Sequence, residues 1–100
     1  MKKIHYKKFD LILTKGTPSD YAYMIDKGRV AIISGKELHR NYRVLAILHK
    51  NSLFGEMALI DDKVRSATAF ALEDCQLSVI TPKTLRYLIE NEPLTISLLL

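Results

Sequence analysis

Over its first eighty residues the chain places apolar positions in short stretches, each closed by a turn signal. Tyr21, Tyr23 and Ile25 alternate with Ala22, Met24 and Asp26, the period-two rhythm of a strand. Asp26-Lys27-Gly28 then turns the chain, with Gly28 free to take a positive φ. Val30, Ile32 and Ile33 mark the next strand, within residues 29–34, and Gly35-Lys36 closes it. Val44–Leu48 reads as a buried strand, and residues 66–71 and 76–80 give two more, separated by Glu73-Asp74. An earlier turn cluster runs through Lys15-Gly16 and Thr17-Pro18-Ser19-Asp20. Turns spaced roughly 8–12 residues apart predict a sandwich or barrel rather than alternating strands and helices.

The last twenty residues change period. Thr81 can cap a helix and Pro82 suits its first position. Leu85, Leu88 and Ile89 follow at i, i+3 and i+4, an amphipathic stripe that predicts packing against the barrel. Asn91-Glu92-Pro93 interrupts it, and Leu94 opens a second, short helix ending in Leu98, Leu99 and Leu100. That apolar end is expected either to meet a partner or a second copy, or to belong to a helix that continues further. The pattern as a whole predicts a mainly β fold, an antiparallel β-roll or jelly-roll barrel with short C-terminal helices.

Composition narrows the class. The chain has 100 residues, of which 48% are hydrophobic and 26% charged, values of a folded soluble domain rather than a disordered one. One domain over residues 1–100 is expected. The longest uninterrupted apolar runs, residues 21–25 and Val44–Leu48, are five residues each, far short of the roughly 20 that a membrane helix requires. The lone Cys75 excludes an internal disulfide and any multi-cysteine metal site, and points to a cytoplasmic setting. His5, His39 and His49 are scattered without ligand spacing, so no metal or cofactor is expected and a cupin-like metal enzyme is disfavoured. No triad of nucleophile and base is legible around Ser66 or Thr68. The five tyrosines read as packing for a small barrel. The net charge is +4, unevenly placed: residues 1–10 carry four lysines against Asp10, a net of +3. This stretch reads as a solvated, solubilising arm rather than a nucleic-acid face.

Residues 54–70 carry the chemistry. Gly55 follows a loop at residues 50–53 and lets backbone approach a ligand closely. A helical turn starting at Glu56 leaves N–H groups pointing outward, an anion-binding arrangement. Arg65, nine positions on, has a guanidinium that forks onto phosphate oxygens, and Ser66 adds a hydroxyl. An arbitrary Glu and Arg at this spacing would more often pair with each other, or with Asp61 or Asp62, on the surface.

The order of residues is more specific than that. Phe54, Gly55, Glu56, Met57, Ala58, Leu59 and Ile60, then a short tip, then Arg65, Ser66 and Ala67, closely resemble the phosphate-binding cassette of the cyclic nucleotide-binding domain family. Gly16, Gly28 and residues 82–88 also fall at family turns and at the family's helix after the barrel. Asn51 stands where Gly is common, a substitution that the left-handed conformation tolerates, and Val64 stands where bacterial members often have Pro. The family's long C-terminal helix is barely started at residues 94–100.

The resemblance implies roles. Arg65 holds the cyclic phosphate and Glu56 accepts from the ribose 2′-OH. N–H groups near Gly55 and Ala58 complete the shell, in which Met57, Ser66 and Ala67 also stand. Leu59 and Ile60 report occupancy to the C-terminal helices. The implied function is non-catalytic sensing of a cyclic nucleotide, cyclic AMP before cyclic GMP. The alternative is the same fold used as a ligand-free protein-interaction module.

Overall fold

The computed structural model describes residues 1–17, 21–35, 42–55 and 67–91. Among these, eight strands and one helix follow in chain order: β1 (Lys3–Tyr6), β2 (Leu11–Leu13), β3 (Ala22–Lys27), β4 (Val30–Ile33), β5 (Val44–Leu48), β6 (Leu53–Phe54), β7 (Thr68–Ala71), β8 (Cys75–Ile80) and α1 (Pro82–Asn91). They form two four-stranded antiparallel sheets, one ordered β1-β8-β3-β6 and the other β2-β7-β4-β5. This is the expected mainly β roll. The predicted second helix from Leu94, with Leu98, Leu99 and Leu100, lies outside the described residues.

The main core forms where the two sheets face each other. Leu13, Tyr23, Ile25, Val30, Leu48, Phe54 and Leu77 meet there in one cluster. The alternation read in β3 is real, but both of its faces are covered: Tyr23 and Ile25 enter the main core, while Ala22 and Met24 lie under α1 with Leu53, Ile80 and Leu85. A helix over the second face explains why β3 lacks polar residues at its first four positions. The α1 start is as predicted, with the Thr84 amide donating to the Thr81 hydroxyl at 3.2 Å. The stripe of Leu85, Leu88 and Ile89 is the packed face.

Gly28 connects β3 to β4 at φ 91°. A Cβ there would sit 2.6 Å from both the Asp74 carbonyl oxygen and Cys75 Sγ. The turn therefore needs glycine twice, for its backbone conformation and for the neighbouring chain.

Four expectations need correction. The basic N-terminal stretch is not a free arm: Lys3 to Tyr6 pair with Ser78 to Cys75 along β8. Ile4 and Tyr6 turn toward the core while Lys3 and His5 face outward, an alternation hidden by the density of lysines around it. Val44–Leu48 is a strand but not a buried one. Among the described residues it is a sheet edge paired only with β4, and Val44, Leu45 and Ile47 are exposed. Leu53, read as loop, belongs to β6. Of the tyrosines, Tyr6 and Tyr23 pack with the core, whereas Tyr21, Tyr42 and Tyr87 are exposed.

On the outer face of the first sheet a polar network spans β1, β8 and β3. Lys3 Nζ reaches Asp26 Oδ2 at 3.0 Å and the Ser78 hydroxyl at 2.6 Å, and that hydroxyl contacts both Asp26 oxygens at 2.8–2.9 Å. Burial works to raise the Asp26 carboxyl, but hydrogen bonds from Lys3, Ser78 and Gln76 outweigh it and hold the group below its ordinary value.

Candidate functional site

The cassette is strung between the two sheets. It leaves the first sheet at β6 and enters the second at β7, and both attachment points are firmly held. At the entry, Phe54 is 1% exposed and pairs across the ladder with Tyr23, their rings stacked with centroids 5.6 Å apart. The preceding loop is tied to β3 by two backbone bonds, Asn51 N–H to the Ile25 carbonyl at 2.8 Å and Ile25 N–H to the Ser52 carbonyl at 3.0 Å. Asn51 itself takes φ 73°, the left-handed conformation that its sequence position called for. Gly55 is buried at φ 78°. There the chain turns off the strand in a conformation that favours glycine.

At the exit, Ala67 is half-buried and packs against the main core. Thr68 beside it is wholly buried. Its hydroxyl donates to the Gly35 carbonyl and accepts from the Lys15 amide at 3.0 Å. One side chain thus joins the start of β7 to the loops after β4 and β2. Sequence reading passed over Thr68 as a strand residue among small neighbours. Its signal was a lone hydroxyl in an otherwise apolar stretch, Ala67 to Ala71, where burial requires a partner.

Of the residues assigned to the site, Gly55 and Ala67 are placed by the structure, as the two ends of the cassette. Glu56, Met57, Ala58, Leu59, Ile60, Arg65 and Ser66 lie outside the described residues. Cys75 is buried between strands, where burial pushes its thiol up and its Sγ lies 3.2 Å from the Arg29 carbonyl and 3.1 Å from that of Glu73. Among the described residues no helix is long and apolar enough to cross a membrane.

Known proteins share this sequence pattern and backbone. The sequence pattern of the cyclic nucleotide-binding domain matches residues 3–92. Human cGMP-dependent protein kinase 2 is 36% identical over 70 residues, 70% of this chain and 9% of the kinase. The cyclic AMP receptor protein of Thermus thermophilus is 35% identical over 83 residues, 83% of this chain and 38% of that protein. The chain therefore spans only a minor part of the relatives it matches. Among solved structures, the EAL enzyme Bd1971 in its cGMP-bound form superposes with a TM-score of 0.80 at 37% identity, over 90% of this chain and 24% of that one. Its cAMP-bound form gives 0.79 at 34%, over 94% of this chain and 26% of that one. With the match running from the first strand to the end of α1, and the backbone agreeing at this level, the chain belongs to the cyclic nucleotide-binding domain family.

Proposed function

We propose that these 100 residues form a single non-catalytic domain that binds a cyclic mononucleotide and passes its occupancy to the C-terminal helices. The observation that carries the reading is the segment from Phe54 to Ala67, with the family's residues in the family's order and its two ends pinned to different sheets. Arg65 forks onto the cyclic phosphate. Glu56 accepts from the ribose 2′-OH, and N–H groups at Gly55 and Ala58 take further phosphate oxygens. Met57 and Ala67 close the shell, and Ser66 serves the phosphate or the base. Leu59 and Ile60 carry the change outward to α1, whose packed face already rests on Leu53, one residue before Phe54. Such a relay requires that the ligand prefer one helix arrangement over the other. Relatives are named for both cyclic nucleotides, so the reading gives cyclic AMP only a modest advantage, below about a hundredfold.

Calorimetric titration with cyclic AMP and cyclic GMP tests this directly. Arg65→Leu should cost about 1.5–3 kcal/mol of binding, roughly tenfold to somewhat over a hundredfold, with little change in unfolding midpoint. Glu56→Gln should weaken the ribonucleotide but spare its 2′-deoxy analogue. No heat with either nucleotide would end the proposal, and equal losses for the ribo and deoxy ligands would remove the sugar role of Glu56.

A further inference from the structure

Among the described residues the outer edge of β1 is open. In the ladder with β8, Val79 N–H donates to the Lys2 carbonyl, and Lys3, Ile4, His5 and Tyr6 continue the same register. Antiparallel pairing alternates the direction of backbone groups. Lys2, Ile4 and Tyr6 therefore point their N–H and C=O groups at β8, and Lys3 and His5 point theirs away. β1 is the terminal strand of its sheet. Among the described residues, nothing pairs with the N–H and C=O groups of Lys3 and His5.

An open edge is a template for another strand, and the surroundings select which kind. Lys2, Lys7 and Lys8 flank it. Two copies brought edge to edge would set these charges against each other, so self-pairing is opposed. A cavity of about 380 Å³ lies at the C-terminal end of β1, lined by His5, Lys7 and Lys27 together with Tyr6, Gln76 and others. His5 and Lys27 both pair with Gln76, from opposite sides, so they stand in one row across the sheet. The carboxylate in that lining, Asp74, already accepts from the Lys8 amide at 2.9 Å. At the N-terminal end of β1 a second cavity, of about 370 Å³, is lined by Ile4, Tyr21, Tyr23 and Val79 among others. A strand laid along β1 would send alternate side chains to the two faces of the sheet, acidic ones toward the basic cavity and apolar ones toward the aromatic cavity.

We propose that the free edge of β1 is a docking site for an extended, acidic peptide segment of a partner protein, added as a further strand. Backbone bonds to Lys3 and His5 supply the attachment. The lysines supply the selection for acidic sequence. This inference does not depend on the nucleotide site.

The probe is a capped peptide of about seven alternating Glu and Val residues, enough to span β1 in extended form. Binding is followed by NMR on residues 1–100, with hydrogen exchange of the Lys3 and His5 amides. The expected result is saturable binding that protects those two amides and weakens as salt rises. The same peptide N-methylated on its β1-facing amides, and a Lys–Val counterpart, should each bind at least about tenfold more weakly. His5→Pro removes an edge donor while leaving the β8 ladder intact, and should abolish binding with the melting curve retained. Should that variant fail to fold, Lys7→Glu combined with Lys8→Glu leaves every backbone bond in place and should weaken binding at least about fivefold. The proposal is overturned by absence of saturable binding, by equal affinity for the N-methylated or Lys–Val peptide, or by tight binding of an oligonucleotide where the acidic peptide does not bind.

Discussion

Thr68→Val tests whether the exit of the cassette is anchored as described. Valine keeps the shape and volume and removes only the hydroxyl. Two groups then lose their partner: the Lys15 amide, held at 3.0 Å, and the Gly35 carbonyl. A buried polar group left unpaired costs about 1–3 kcal/mol. Lys15 is exposed and Gly35 half-buried, so water can partly serve both, which places each at the lower end. The expected loss is about 2–3 kcal/mol in total. Thr68→Ser is the matched control: it keeps both bonds and loses one methyl, about 1 kcal/mol. Urea unfolding at constant m-value reads the difference. Because Arg65 stands three positions before Thr68, the valine variant should also weaken cyclic AMP binding, and the serine variant should do so much less. If valine destabilised no more than serine, the hydroxyl would not be an anchor, and the account of how the cassette is held at this end would be wrong.

Two further outcomes are expected. Gly28→Ala should cost at least about 2 kcal/mol in the same unfolding assay, since it combines an unfavourable positive φ with a Cβ 2.6 Å from the Asp74 carbonyl oxygen; a near-neutral result would mean that the β3–β4 turn relaxes freely. Asp26 governs acid sensitivity. Its carboxyl is held below its ordinary value, so its contribution is complete above the unfolded value of about 3.9 and is lost as pH falls through the lower folded value. Asp26→Asn should therefore flatten the dependence of stability on pH below about 4, and an unchanged slope there would assign the acid response to other carboxylates.

The periodic signals that proved legible were those reinforced by local chemistry. Gly28, the Thr81-Pro82 helix start and the stripe of Leu85, Leu88 and Ile89 each state their role within a few residues. What escaped were features decided at a distance. Lys3, His5 and their neighbours read as a charged arm because strand character there depends on β8, seventy-five positions away for Lys3 and Ser78. Val44–Leu48 is apolar enough for a core strand, but strand order, which no local pattern encodes, puts it at an edge. At the site, the motif around Gly55 stood out because its residues, from Phe54 to Ala67, follow one another in the order of the family's cassette. Thr68 did not, because a buried hydroxyl is informative only once its partners are known.

The pairing of β1 with β8 and of β2 with β7 has a consequence for how the chain is made. The first two strands leave the ribosome without their partners, and Lys3 meets Ser78 only after another seventy-five residues have been added. At ordinary elongation rates that wait lasts about 4–15 s. Pairings between such distant segments also form slowly, within about milliseconds to seconds after synthesis. During the wait Ile4, Leu11, Ile12 and Leu13 have no sheet to join. The lysines at positions 2, 3, 7 and 8 then stand beside these unpaired apolar residues and oppose their association with neighbouring chains, until β8 arrives and the sheet closes.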